Sequence, residues 1–408
     1  MSRYLSFALF ITTAIGILFG LHYYFYVRLI RDLALPREWR VGLTIALVVA
    51  GLSMPVAMFL GRVLVAPWRS FVVWPAFSWM GCMFLLFVLL LAGDVTRGLW
   101  TLLTHLVAST NPLDPSRRLF FSRVLGSVVA VGAIGLSAVA VRAAVLGPRV
   151  RRIRVALKRL PRALDGFVIA QLTDLHIGET VGRAFVEEVV RRTNALSPDL
   201  IVITGDLVDG GVEELAHDVA PIAELKARCG VFFVTGNHEY YSGVTEWLAH
   251  ISKMGIRVLR NERVAIGDAE QSFDLAGVDD SGSGHAMMEP GHGADVSKAM
   301  AGADPSRAVV LLAHQPKEVS RATAHNVGLV LSGHTHGGQI WPFGLLVALT
   351  QPYLEGLHLH EDKTWIYVSC GTGYWGPPMR LWTPAEITRV ELRCDGESCV
   401  EDEPPRAA

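Results

Sequence analysis

Five short polar clusters in the second half of the chain carry the residues best suited to chemistry. They are Asp174-Leu175-His176, Gly205-Asp206, Gly236-Asn237-His238-Glu239, His314 and Gly333-His334-Thr335-His336. These clusters offer carboxylate, amide and imidazole groups but no thiolate. Such ligands suit Mn, Fe or Zn in a catalytic site better than a Cys-rich structural zinc or an all-oxygen calcium site. Two ions ~3.5–4 Å apart can bind both non-bridging phosphoryl oxygens and hold a hydroxide for in-line attack, which needs about seven ligands and one bridging carboxylate.

Each cluster directly follows a short apolar run rich in β-branched residues. The runs FVIAQLTD, LIVITGD, VFFVTGN, VVLLAHQP and VGLVLSGH predict buried strands. Helical patterns over Ala184–Ala195 and Glu213–Ala227 separate several of them, which predicts an α/β domain. Because ligands bind beyond the carboxyl ends of strands in such sheets, we expect the clusters to converge there. Alternation over Val150–Leu157 predicts a further strand, and the composition of Asp279–Pro305 predicts a surface loop with a short helix.

The clusters, in this order, resemble the calcineurin-like metallophosphoesterase family, whose pattern is DxH, GD, GNH(D/E), a lone His and GHxH. The resemblance covers about Leu160 to Leu392 and implies a β-sandwich flanked by helices (αββα) that binds two divalent ions. It implies that Asp174, His176 and His336 bind the first metal and that Asp206 bridges. Asn237, His314 and His334 would complete the second metal, and His238 would protonate the leaving oxygen. Glu239 is a candidate to orient His238, and glycines 205, 236 and 333 are expected to allow tight turns.

Two later stretches resemble a membrane-associated branch of that family, with YkuE-like and UDP-2,3-diacylglucosamine hydrolase-like members. They are Gly337-Gly338-Gln339-Ile340 with Pro342, and Gly371-Thr372-Gly373 with Pro377, Pro378 and Arg380. Arg380 is a candidate to pair with a substrate phosphate, because a planar guanidinium matches phosphate oxygens. A surface salt bridge is the alternative for this side chain.

The N-terminal part of the chain contains four long apolar stretches, Tyr4–Val27, Val41–Val65, Phe71–Ala92 and Val124–Leu146. Each has at least the ~20 residues that are needed to cross a bilayer. They predict a four-helix transmembrane anchor over residues 1–148, followed by a phosphoesterase domain over 149–395 and a disordered tail over 396–408. A cleavable signal peptide is the alternative for the first stretch, but its apolar run is long and three spans follow. Only His22 is ionisable deep in these stretches, which indicates an anchor rather than a transporter.

Charge and composition restrict the partners and the location. The chain is 51% hydrophobic and only 18% charged, and its formal net charge of −1 argues against nucleic acid as a partner. Arg3, Arg62 and Arg69 share a side with the basic residues that follow the fourth stretch, which predicts a catalytic domain on the cytoplasmic face. The resemblance to a membrane-associated bacterial branch of the family implies a bacterial inner membrane. Cys394 and Cys399 are either free thiols or a disulfide.

Together these features predict a membrane-anchored dimetal phosphoesterase. It would hydrolyse a phosphodiester, phosphomonoester or pyrophosphate bond, with a lipid or lipid-nucleotide as a candidate substrate. The alternative is a membrane sensor or transporter-like protein whose phosphoesterase-like domain binds a ligand without turnover. The complete ligand set favours the enzyme.

Overall fold

The structure is a computed structural model that describes residues 3–61, 63–64, 68–107, 114–268, 270–284, 291–394 and 398–401. The chain divides into two compact units, Met1–Val141 and Arg142–Ala408. The division falls slightly before the predicted boundary at residue 148. Ala144 explains the difference, because this residue of the last long helix is buried in the core of the second unit.

The first unit consists of long helices. They are α1 (Arg3–Tyr26), continued by a π-helical turn (Val27–Arg31), α2 (Arg37–Leu60), α3 (Trp68–Val107) and α4 (Pro115–Val145), whose last turn belongs to the second unit. Four segments in these helices are long and apolar enough to cross a membrane, as the sequence predicts. Val65, the predicted end of the second stretch, and Arg62 lie outside the described residues.

Two polar contacts between these helices refine the prediction about ionisable groups. Helix α3 continues beyond the predicted end at Ala92 and therefore includes Asp94, whose carboxylate lies 2.9 Å from the Arg28 guanidinium. Arg28 and Asp94 lie just beyond the predicted stretches Tyr4–Val27 and Phe71–Ala92, so this pair belongs to the longer helices and the expectation for His22 concerns the predicted stretches alone. His22 itself is satisfied, because Trp79 donates to its Nε2 at 3.1 Å and its Nδ1 lies 2.7 Å from the Leu18 carbonyl.

The second unit contains two sheets. Its strands are β1 (Arg149–Ala156), β2 (Phe167–Leu172), β3 (Leu200–Thr204), β4 (Val231–Val234), β5 (Arg257–Val258), β6 (Glu262–Gly267), β7 (Ser272–Gly277), β8 (Val309–Leu312), β9 (Leu329–Ser332), β10 (Gly356–His360), β11 (Thr364–Val368), β12 (Glu386–Arg393) and β13 (Cys399–Glu401). One sheet has the order β13-β1-β12-β2-β3-β4-β5 and the other the order β10-β11-β9-β8-β7-β6. Strands β2, β3 and β4 run parallel to one another, and so do β8 and β9.

Helices pack on the outer face of each sheet. The helices of the second unit are α5 (Arg183–Ala195), α6 (Val212–Val219), α7 (Asn237–Tyr241), α8 (Val244–Lys253), α9 (Val296–Ala299), α10 (Val319–Ala324) and α11 (Gly344–Val347). One apolar core joins β2, β3 and β4 to β7, β8 and β9 between the sheets. A second core packs α5, α6 and α8 on the first sheet, and a third packs α9 and α10 on the other. The predicted αββα sandwich is confirmed.

The five predicted strands that precede polar clusters are confirmed as β2, β3, β4, β8 and β9, and the alternating run after the anchor is β1. The helix predicted over Glu213–Ala227 is shorter. Helix α6 ends at Val219 and a 3₁₀ turn follows, because Pro221 has no N–H to continue an α-helix. The predicted loop over Asp279–Pro305 contains a 3₁₀ turn and α9, and its residues 285–290 lie outside the described part.

The predicted disordered tail needs a correction. Residues Cys399–Glu401 form β13, which pairs antiparallel with Arg152–Arg154 and forms the edge of the first sheet beside β1. Residues 402–408 lie outside the described residues. Cys394 and Cys399 form no disulfide with each other.

The sandwich core gives a test of the fold. Phe273 is fully buried and packs edge-to-face on Phe167 with ring centroids 5.3 Å apart. Phe273→Ala should destabilise the second unit by about 3–5 kcal/mol, because it removes apolar contacts and leaves a cavity. Denaturant unfolding of the full chain in detergent, followed by tryptophan fluorescence, measures this change. Leu359→Ala, at a side chain 41% exposed, is the control and should cost at most about 0.5 kcal/mol.

Candidate metal centre

The predicted ligands occupy sharp turns at the carboxyl ends of the strands. Five of them have left-handed backbone angles, with φ between +50° and +72°: Asp174, His176, Asp206, His334 and His336. A non-glycine residue in this region costs roughly 1–2 kcal/mol. Such backbone strain concentrates at functional sites, where the surrounding fold holds it. The surrounding sandwich must therefore offset the free-energy cost of these left-handed turns. Their concentration in one cluster indicates a functional site.

The turns bring the side chains into two adjoining groups. Asp174, His176 and His336 form one, and Asp206, His314 and His334 form the other, with ligand atoms within 4.8 Å of one another in each. In the first group, His176 Nε2 and His336 Nε2 are 3.0 Å apart. In the second, His314 Nε2 lies 3.2 Å from His334 Nδ1 and 3.1 Å from Asp206 Oδ2.

Asp206 links the two groups. Its Oδ2 also lies 3.8 Å from His176 Nε2, so one carboxylate faces both sets of imidazoles. Its other oxygen, Oδ1, accepts a hydrogen bond of 2.8 Å from the His238 backbone N–H. This position between the groups is the one that a bridging carboxylate requires.

Hydrogen bonds behind the cluster determine which imidazole nitrogens face inward. His176 Nδ1 is 2.9 Å from Asp209 Oδ1, and His314 Nδ1 is 2.8 Å from the Thr204 carbonyl. Both partners accept, so each Nδ1 donates and Nε2 is the nitrogen left to bind an ion. Metal-binding histidines are held in this way by a carboxylate or a carbonyl.

One further observation tests whether the residues fit a metal. Asn237 Oδ1 is buried and has no hydrogen-bond partner in the protein. A buried polar atom without a partner costs free energy, so it calls for a ligand. The carboxylates, imidazoles and this amide oxygen together form a donor set that suits borderline divalent ions. The residues present therefore fit the predicted pair of ions.

Burial and neighbouring charges set the protonation of the cluster. Burial and the nearby His314 lower the pKa of His334 to about 3, so its imidazole is neutral. Burial opposes a proton on His176, but the Asp209 carboxylate outweighs it and raises the pKa to about 9. Burial would raise the pKa of Asp206, yet the imidazoles around it, His314 above all, hold it well below the usual range. Asp206 is therefore ionised, as the predicted bridging role requires.

His238 lies at the rim of the cluster, and its neighbours differ from the expected ones. Its Nδ1 is 2.6 Å from Asp209 Oδ1, and its side chain is 14% exposed. Its ring contacts those of Tyr241 and Trp375, at centroid distances of 5.2 and 5.7 Å. Asp209 thus holds both His176 and His238. Sequence reasoning missed it, although it lies three residues after Asp206 in the same turn.

Glu239 does not orient His238. Its carboxylate is fully buried and accepts hydrogen bonds from the backbone N–H groups of Asp206 (3.0 Å), Leu207 (2.7 Å) and Gly236 (2.6 Å). Burial, with the charge on Asp206, raises its pKa to about 7 against the effect of these bonds. Glu239 therefore fixes the two ligand turns against each other, and adjacency in sequence is misleading here.

Arg380 matches neither of the two alternatives expected from the sequence. The side chain is 1% exposed, and Nη1 donates to the carbonyls of Cys370 (2.6 Å) and His336 (3.2 Å) while Nε donates to Gly373 (3.0 Å). Its Nη2 lies 3.2 Å from His336 Nδ1. The guanidinium is thus neither a surface salt bridge nor turned to an open phosphate site. Its donors join the 370–373 loop to the turn that carries His336.

The glycines before the ligands are needed for space as well as for turning. A Cβ on Gly333 would lie 2.1 Å from Asp174 Oδ2 and 2.2 Å from Thr173 Oγ1. Gly333 lacks the positive φ that a tight turn would require. The turn that follows β9 therefore packs directly on the Asp174 carboxylate.

Gly333→Ala should displace Asp174 and weaken metal binding by at least about tenfold, because any added atom overlaps this carboxylate. Titration of the metal-free full chain with Mn²⁺, followed by calorimetry, measures the affinity. The matched control is Gly211→Ala, since a Cβ there meets no atom within 4 Å. Unchanged affinity in Gly333→Ala would show that the Asp174 carboxylate does not hold the ion.

Comparisons with known proteins agree with this geometry. The calcineurin-like phosphoesterase family profile matches residues 167–338. A Bos taurus protein described as a transmembrane protein with metallophosphoesterase domain is 41% identical over 69% of this chain, which spans only 64% of that relative. An Aquifex aeolicus uncharacterized metallophosphoesterase is 35% identical over 61% of this chain and 93% of its own length. Bacillus subtilis YkuE, also described as an uncharacterized metallophosphoesterase, is 32% identical over 57% of this chain and 82% of its own. The chain belongs to the calcineurin-like metallophosphoesterase family.

Proposed function

We propose that this protein is a membrane-anchored, dimetal phosphoesterase that hydrolyses a phosphodiester, phosphomonoester or pyrophosphate bond. The observation that carries the proposal is the buried cluster in which Asp206 faces two groups of imidazoles and His238 lies at the rim. A domain that only bound a small molecule would not need strained turns at the candidate metal-binding residues together with the His238 imidazole beside them. The intact set therefore favours turnover over the sensor or transporter-like alternative.

The ligand roles follow from the two groups. Asp174, His176 and His336 would hold one divalent ion, and Asn237, His314 and His334 the other, with Asp206 shared between them. Mn, Fe and Zn suit these donors. When bound, two such ions polarise the phosphoryl group and lower the pKa of water. The protein contributes rigid ligand positions. Asp209 holds the His176 ring, the Thr204 carbonyl holds the His314 ring, and Glu239 accepts from the Asp206 backbone N–H.

His238 is the residue that we propose protonates the leaving oxygen. Asp209 engages its Nδ1, so Nε2 is left for the substrate. The imidazole is partly exposed at the rim, where an incoming ester can reach it. Tyr241 and Trp375 flank the ring and limit its orientation. A general acid positioned in this way contributes about 10²–10⁴-fold to the rate.

A lipid-linked phosphate is the substrate class that we propose, and the cytoplasmic face of the membrane is the proposed location. Four apolar helices in the same chain support membrane anchoring, and an anchored site meets phosphate groups at the bilayer surface. The exposed rings of Tyr241 and Trp375 beside His238 could contact an apolar part of the leaving group. Basic residues after α4 support the cytoplasmic side.

Hydrolysis of a chromogenic bis-aryl phosphodiester by the full chain in detergent tests the enzymatic claim. We expect turnover with Mn²⁺, Fe²⁺ or Zn²⁺ that a chelator abolishes and added metal restores. Absence of turnover with all three ions, in a protein that still binds them, would favour the sensor.

Substitutions at His238 and Asp206 separate the acid from the bridging ligand. His238→Ala should keep both ions and lose about 10²–10⁴-fold in kcat for esters with poor leaving groups, with a smaller loss for good ones. Asp206→Asn should lose metal, because a neutral amide cannot replace the shared carboxylate. Metal content by mass spectrometry and kcat across leaving groups measure both effects. Metal loss in the first variant and retention in the second would reverse these roles.

A further inference from the structure

Large apolar side chains are unevenly exposed on the second unit. Among its described residues after 148, the exposed ones are Tyr241, Trp341, Phe343, Leu345, Leu346, Leu349, Leu359, Trp375 and Trp382. Six of these form what we call the apolar face: Trp341, Phe343, Leu345, Leu346, Leu349 and Trp382. Leu349 is 80% exposed, and the Trp341 and Trp382 rings pack at 5.3 Å. Soluble proteins rarely expose so many large apolar groups together, which marks an interaction surface.

The composition of this segment restricts what can cover it. Residues 337–354 contain no Asp, Glu, Lys or Arg. The apolar face, which also includes Trp382 from outside this segment, consists of two tryptophans, one phenylalanine and three leucines. These residue types enter the boundary between headgroups and acyl chains. A surface that binds another protein usually has a rim of polar residues around its apolar core. The uncharged segment therefore fits a lipid surface better.

The apolar face is rigidly connected to the metal centre. It begins directly after the turn that carries His336, and the backbones of Gly338 and Gly344 approach so closely that a Cβ on Gly338 would lie 2.3 Å from Gly344 Cα. Gln339 donates to the Trp375 carbonyl at 2.8 Å and accepts from its N–H at 2.9 Å. Trp375 in turn contacts His238. The depth of this face in a bilayer would therefore fix the height of the metal centre.

We propose that the apolar face inserts into the surface of the bilayer that anchors this chain and so presents the metal centre to phosphate groups at the headgroup level. The short connection between the last apolar helix and the second unit favours the bilayer over other partners. Only three residues separate the end of α4 at Val145 from the start of β1 at Arg149, a reach of about 10 Å. The bilayer is therefore always available to the second unit at high effective concentration, whereas a partner must be recruited. The insertion does not depend on the proposed activity.

Depth-sensitive fluorescence of the full chain in lipid nanodiscs tests the insertion. Leu349→Trp places a reporter on the apolar face, and Leu359→Trp places a matched reporter on β10, outside that face. The nanodiscs contain phosphatidylcholine and phosphatidylglycerol with ordinary or brominated acyl chains. The emission gained over the parent protein is compared with each lipid and with aqueous iodide. Leu345→Trp is a second reporter if the first variant fails to fold.

We expect brominated chains to remove most of the emission gained at position 349 and iodide to leave it nearly unchanged. Position 359 should respond to iodide and not to brominated chains. Equal access of iodide to both positions would overturn the proposal, because the face would lie in water. Protection of position 349 from iodide without quenching by brominated chains would also overturn it, since a second copy or another protein would then cover the face.

Discussion

The metal centre depends on the convergence of polar side chains from two sheets into one buried space. Strands β2, β3 and β4 of one sheet and β8 and β9 of the other each end in a turn that supplies at least one donor. Buried carboxylates and imidazoles are costly unless they have partners. Asp209, Thr204, Glu239 and backbone N–H groups engage the outer atoms. Within the described residues, the buried Asn237 Oδ1 at this site has no hydrogen-bond partner. The sandwich thus offers a donor set whose remaining requirement is a cation.

The same constraint explains the backbone around the site. Left-handed turns at Asp174, Asp206 and His334 point successive donors inward, and the absence of a side chain at Gly333 lets two turns touch. Arg380 stabilises this arrangement by donating hydrogen bonds to the backbone carbonyls of His336 and Cys370. Each of these features costs stability if considered alone. They coexist because the apolar cores on both sides of the sheets hold the strand ends in place.

The sequence could predict most of the fold, and it could place the candidate ligands at strand ends, because those signals are local. A buried strand is a β-branched run, and each candidate ligand follows such a run closely. The roles of Asp209, Glu239 and Arg380 could not be predicted in this way. Asp209 and Glu239 act through residues about 30 positions away, and the burial of Arg380 depends on loops that meet only in the folded chain. The length of α3 was also underestimated, because the charged Asp94 interrupts the apolar run yet has partners in the fold. It accepts a hydrogen bond from Tyr24 on α1 and pairs with Arg28 in the π-helical turn that follows.

The number of ions bound per chain distinguishes a dimetal centre from a site for a single ion. Metal-free full-length protein in detergent can be titrated with Mn²⁺ while bound metal, by mass spectrometry, and phosphodiester hydrolysis are followed together. We expect two ions per chain, with activity rising until the second is bound, because Asp206 faces both groups. Full activity at one ion per chain, or saturation without a second, would contradict a dimetal centre.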